Sequence, residues 1–119
     1  MKFPAWYGIL VGLLMIAQWS FSILAGGVPE FQTAPWEIDF HLAAEFSTAI
    51  VLLTGGVTML RSIPWSRSVL LLGLGMVIYS EIVSPGYFAQ RNQWAFVALF
   101  AVLLFGAAWS ALALLKEPG

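Results

Sequence analysis

The sequence contains no cysteine, which excludes disulfide bonds, thiolate metal ligands and catalysis by a thiol. Charged residues are also scarce, because they fill only 9% of the chain, against about 25% in an ordinary soluble domain. The formal net charge is −1 and basic residues do not cluster, so no nucleic-acid-binding surface is expected. With a single histidine, the chain has no pair of imidazoles for a bis-histidine haem.

Apolar residues make up 61% of the chain, and its mean hydropathy is +0.89. They form four runs of roughly 17 to 25 residues, the length that an α-helix needs to cross the ~30 Å hydrocarbon core of a bilayer. The runs lack the alternation of a membrane β-barrel. The sequence therefore predicts an all-α membrane protein, a four-transmembrane-helix antiparallel bundle that forms a single domain over residues 1–119. The predicted helices are about 5–25, 36–60, 68–84 and 93–115.

The distribution of Lys and Arg predicts the orientation of this bundle. Four spans place both termini on one side of the membrane, here called side B, together with the connection between the second and third helices. Side B carries Lys2, Arg61, Arg67 and Lys116, whereas Arg91 alone belongs to the opposite side, side A. Because cytoplasmic loops are enriched in Lys and Arg, we expect both termini in the cytoplasm, in a multi-pass protein of a prokaryotic cytoplasmic (inner) membrane.

Helix ends and helix contacts are also predictable. Pro85 and the following Gly86 are expected to stop the third helix, since proline cannot continue a helix. In lipid, small residues let two helix backbones approach closely. We therefore expect packing seams at the glycines of the first three helices, which are Gly8, Gly12, Gly55, Gly56, Gly73 and Gly75.

A few polar residues lie inside the predicted helices near side A. His41 and Glu45 are four residues apart, which places the imidazole and the carboxylate on one face of the second helix. At ~1.5 Å of rise per residue, Glu45 lies ~14 Å and Glu81 ~5 Å from the side-A helix ends. An acid inside a spanning helix costs ~2.5 to 3.5 kcal/mol, so each needs a partner, water or a proton. We predict an outward-facing polar site of these three residues with Gln18, Ser22, Tyr79, Tyr87 and Arg91.

One imidazole and two carboxylates suit a divalent metal ion. The first hypothesis is therefore a metal site with His41, Glu45 and Glu81 as ligands for Zn²⁺, Mn²⁺ or Fe²⁺, completed by water or Tyr87. The second hypothesis is binding of a small cationic or polar ligand. It extends to proton-linked transport if Glu45 or Glu81 exchanges its proton for the ligand. We expect so small a bundle to act as a homo-oligomer in contact with membrane lipids.

Other functions would use the same residues. They would form an interhelical hydrogen-bond network in a non-catalytic structural or accessory subunit of a larger membrane complex. A histidine, a glutamate one turn later and a glutamate on the next helix also resemble the acid/base set of the emopamil-binding-protein type sterol isomerases. This resemblance covers three residues and implies a membrane enzyme that moves a proton on a lipid. No GxSxG elbow or similar nucleophile motif occurs, so no catalytic residue is predicted.

Overall fold

The computed structural model describes residues 2–117, most of which are helical, with no β-strand among them. Four of the helices are long and apolar enough to span a membrane. They confirm the four predicted apolar helices, and each predicted boundary lies within two residues of the observed one. In chain order the helices are α1 (Phe3–Leu24), α2 (Glu30–Thr33), α3 (Pro35–Leu60), α4 (Ser66–Val83), α5 (Pro85–Gln90) and α6 (Trp94–Lys116).

The short helices α2 and α5 were not predicted from the sequence. Pro85 ends α4, as expected, but Ser84 keeps a helical backbone (φ −62°, ψ −35°) and Pro85 occupies the first turn of α5. Proline is tolerated there because the first N–H groups of a helix have no intrahelical acceptor. The third apolar segment therefore runs over Ser66–Gln90, 25 residues in all. Glu81 lies two residues before the end of α4, close to the predicted position, and nine residues, or ~14 Å, before the end of the longer apolar segment.

Three helices end with the same backbone motif. After α1, Gly26 has a φ of +70° and the N–H of Gly27 donates to the carbonyl of Ser22 at 2.9 Å. Ser62 after α3 (φ 57°) and Asn92 after α5 (φ 58°) take the same left-handed conformation. This arrangement satisfies the last carbonyl groups of a helix, which would otherwise lack donors. It also lets each chain segment reverse direction within a few residues.

The four long helices pack as an antiparallel bundle measuring 48 × 24 × 20 Å. Helix α1 packs on α3, α3 on α4, and α6 closes the ring against α4 and α1. The register follows from close backbone approaches. A Cβ added to Gly8 of α1 would lie 3.0 Å from the Leu52 carbonyl oxygen of α3, and one added to Gly55 would lie 2.6 Å from the Leu70 Cα of α4. Only glycine fits at these two crossings, because a larger side chain would push the helices apart.

Most of the predicted glycine seams are confirmed. Gly12, Gly56 and Gly73 also face a neighbouring helix, with heavy atoms 2.6 to 3.1 Å from the position that a Cβ would occupy. Gly75 is the exception, since an added Cβ would meet nothing within 4 Å. The buried core lies beside these seams and is built from residues such as Val11, Leu52, Leu70, Leu74, Val77, Ala107 and Leu114.

Candidate functional site

Glu45 lies on α3 where that helix faces α4, and it has one polar partner on each helix. The Ser80 hydroxyl of α4 donates to Glu45 Oε1 at 2.8 Å. The His41 Nε2 atom lies 3.4 Å from the same oxygen. The predicted pairing of imidazole and carboxylate one turn apart is therefore present, and Ser80 ties it to the neighbouring helix.

A cleft of about 180 Å³ opens beside this carboxylate. Exposure falls steeply along it: Tyr79 is 63% exposed, the His41 side chain 43%, and the Glu45 side chain only 8%. Counted from Pro35 at ~1.5 Å per residue, His41 lies ~9 Å and Glu45 ~15 Å below the side-A end of α3. The cleft thus leads from a partly exposed rim to a buried carboxylate. The residues that line it come from α3, α4 and the Ser84 link, namely His41, Ala44, Glu45, Thr48, Met76, Tyr79, Ser80, Val83 and Ser84.

Glu81 belongs to a second arrangement, inside the bundle. Its Oε2 atom lies 3.0 Å from the Tyr7 hydroxyl of α1, and that hydroxyl lies 2.5 Å from the Leu103 carbonyl oxygen of α6. Tyr7 is 8% exposed and Glu81 is 3% exposed. The other carboxyl oxygen, Oε1, is buried and has no hydrogen-bond partner among residues 2–117. Three helices therefore meet at one sealed polar contact.

The three predicted metal ligands do not converge on one point. His41 and Glu45 lie together in the cleft, whereas Glu81 contacts Tyr7 and does not line it. Within the described part of the chain, no group of three or more His, Cys, Asp and Glu residues is placed to hold a metal ion. The physical reason is rotation about the α4 axis. Ser80 and Glu81 are adjacent and therefore point about 100° apart, so only one of them faces α3.

The remaining predicted site residues occupy three places. Tyr79 lines the cleft, as expected. Gln18 donates to Ser22 at 3.4 Å on an exposed face of α1. Arg91 lies over the Tyr87 ring, 3.6 Å from its centre, and donates to the Tyr87 carbonyl at 2.9 Å. In each of these last two pairs the residues are hydrogen-bonded to each other, and none of the four lines the cleft.

Two residues that contact the predicted site residues were not predicted from the sequence. Trp19 of α1 packs its ring edge-on to His41, with 5.4 Å between ring centres, and so orients the imidazole. Tyr7 was not predicted because it lies near the start of α1, close to side B and far from Glu81 by residue count. The Tyr7 hydroxyl nevertheless lies 3.0 Å from Glu81 Oε2. The sequence signal for its burial was its position directly before Gly8, where α1 was expected to pack closely against another helix.

The fold is an all-helical bundle with four helices long and apolar enough to span a membrane, as is typical of multi-pass membrane proteins, and a cleft that contains His41, Glu45 and Ser80 lies between α3 and α4. The chain belongs to the family described as Domain of unknown function (DUF8058), whose match covers residues 1–118. No curated protein and no solved structure matches the chain.

Proposed function

We propose that this protein binds a small cationic ligand, such as a primary or quaternary amine, in the α3/α4 cleft with Glu45 as the counter-charge. The observation that supports this is a buried carboxylate at the floor of an accessible cleft. Its partners are a serine and a histidine, and neither carries a permanent positive charge. No Lys or Arg of residues 2–117 pairs with it.

The energetics favour a cation at this position. An ionised acid at membrane depth costs ~2.5 to 3.5 kcal/mol on insertion scales, and a ligand of opposite charge offsets that cost. Tyr79 at the rim adds an aromatic face, and a cation over such a face gains ~0.5 to 2 kcal/mol. The ligand is small, because the cleft has a volume of about 180 Å³, below the ~300 to 1,000 Å³ of ordinary small-molecule pockets.

A small organic cation fits the cleft better than Zn²⁺, Mn²⁺ or Fe²⁺ does. Those ions need three or more protein ligands in defined directions. His41 and Glu45 supply two, and Glu81 points elsewhere. An amine needs only one carboxylate and a suitable wall.

The direction of access is part of the proposal. The excess of Lys and Arg on side B favours cytoplasmic termini, so the cleft rim near His41 would face outward. Transport is an extension of the same chemistry, in which Glu45 exchanges a proton for the cation. Assembly as a homo-oligomer fits the exposed apolar surface of α6, on which Val102, Phe105 and Leu115 are each more than 60% exposed.

The test is a titration of the purified chain in detergent micelles with tetramethylammonium and with methylammonium, followed by calorimetry. We expect saturable binding of at least one of them, weakened about tenfold or more in Glu45→Gln, which corresponds to the loss of ~1.4 kcal/mol. Glu37→Gln is the matched control, because it makes the same change at an exposed acid in the first turn of α3. Equal affinity in the wild type and Glu45→Gln, or no binding to either, contradicts the proposal.

A structural role is the second candidate, and one observation favours it. Ser80 joins Glu45 to α4, so the carboxylate already connects two helices without a ligand. In a purely structural role, Glu45→Gln would lower the stability of the bundle and no amine would bind. The calorimetric titration, combined with an unfolding curve of the same variant, separates the two functions.

A further inference from the structure

Glu81 is a buried acid that the proposed cation site does not use. It is enclosed where α1, α4 and α6 meet, and the residue is 3% exposed. Among residues 2–117, no Lys, Arg or His lies within ion-pair distance of it. An unpaired anion in such surroundings has neither water nor a counter-ion to stabilise it.

The contacts of Tyr7 restrict where protons lie. A phenol carries one proton, and a backbone carbonyl oxygen can only accept. The Tyr7 hydroxyl oxygen is 2.5 Å from the Leu103 carbonyl oxygen and 3.0 Å from Glu81 Oε2. The shorter contact takes the tyrosine proton, because two oxygens with no proton between them would repel at that distance. The proton in the longer contact then has to come from the carboxyl group.

The other carboxyl oxygen agrees with this assignment. Glu81 Oε1 is buried and receives no hydrogen bond from the described residues. Both oxygens of a carboxylate carry charge and require donors, whereas the carbonyl oxygen of a neutral acid tolerates a dry environment better. The asymmetry between Oε1 and Oε2 is therefore that of a carboxylic acid with its proton on Oε2.

The groups that surround Glu81 in the described chain also lack a positive charge. Helix α3 contributes Glu45, a second acid near the same level of the bundle. Helix α1 contributes Tyr7 and α6 contributes a carbonyl oxygen, and neither is a cation. The described surroundings of Glu81 therefore hold no positive charge that would stabilise an ionised carboxylate.

We infer that Glu81 holds a proton on Oε2 and donates it to the Tyr7 hydroxyl, which donates in turn to the Leu103 carbonyl. The centre of the bundle is thus a proton-binding site, separate from the α3/α4 cleft. This inference does not depend on the proposed cation binding.

Infrared spectroscopy of the full chain in lipid nanodiscs tests it. The wild type at neutral pH should show the carbonyl stretch of a protonated carboxylic acid, with the downshift in D₂O that marks an exchangeable proton. The band should disappear in Glu81→Gln and remain in the matched variant Glu45→Gln. A wild type without the band at neutral pH overturns the inference, and so does a band that is lost in Glu45→Gln but kept in Glu81→Gln.

Tyr7→Phe provides a second test that keeps the aromatic ring and removes only the hydroxyl. The acid then loses its acceptor, and its carbonyl stretch should move to higher frequency. A band that does not move shows that Glu81 does not donate to Tyr7 and contradicts the assignment. If Glu81→Gln does not fold, the wild type, Glu45→Gln and Tyr7→Phe still decide the question.

Discussion

Glu45 and Glu81 lie near the same depth of one bundle, yet their surroundings differ. Glu45 faces an accessible cleft and shares Oε1 with a serine and a histidine. Glu81 is sealed between three helices and contacts a tyrosine hydroxyl that also meets a backbone carbonyl. Depth alone therefore does not decide what an intramembrane acid does. The helix face on which it lies decides whether the acid faces an open cleft or the interior of the bundle.

The largest expected contrast is between the tyrosines of the two regions. Tyr7→Ala should destabilise the bundle by about 3 kcal/mol, because it leaves a cavity in the core and removes the hydroxyl that meets Glu81. Tyr79→Ala, at a 63% exposed position, should change the free energy of unfolding by less than ~0.5 kcal/mol. Reversible unfolding in mixed micelles with a denaturing detergent measures both. Similar losses in the two variants would contradict the distinction between a sealed core and an open cleft.

The next contrast concerns the packing that holds α3 and α4 together below the cleft. Gly55→Ala would place a Cβ 2.6 Å from the Leu70 Cα, so we expect a loss of about 1 to 3 kcal/mol as the helices separate. Gly75→Ala is the control, because its Cβ meets nothing within 4 Å. The same unfolding assay applies. A Gly55→Ala variant as stable as Gly75→Ala would show that the two helices do not cross there.

The smallest contrast is between alanine substitutions at two serines, which should change the free energy of unfolding in different directions. Ser80→Ala removes the hydrogen bond to Glu45 and should cost about 1 kcal/mol. Ser110 is fully buried in α6 and its hydroxyl has no partner among the described residues. Ser110→Ala should therefore leave the stability unchanged or raise it, since it removes an unsatisfied polar group. Equal losses for the two variants would mean that the Ser80 bond adds no stability.

The sequence was sufficient for the four spans, because hydrocarbon thickness and backbone hydrogen bonding leave few alternatives. It also predicted the His41–Glu45 pair, which depends only on helical spacing within one helix. It did not predict that Glu81 turns away from that pair, since this depends on the rotation of α4 relative to α3. Tyr7 was missed for a related reason, because side-chain reach between helices is not visible in residue counts.

Cysteine accessibility tests the division into an open and a sealed region most directly, since the native chain contains no cysteine. Ser80→Cys places a thiol beside Glu45, and Ser110→Cys places one in the buried core. A small trimethylammonium thiosulfonate should label Ser80→Cys, more slowly when tetramethylammonium is present, and leave Ser110→Cys unlabelled. Equal labelling of the two positions, or no labelling of Ser80→Cys, would contradict a cation-accessible cleft at Glu45.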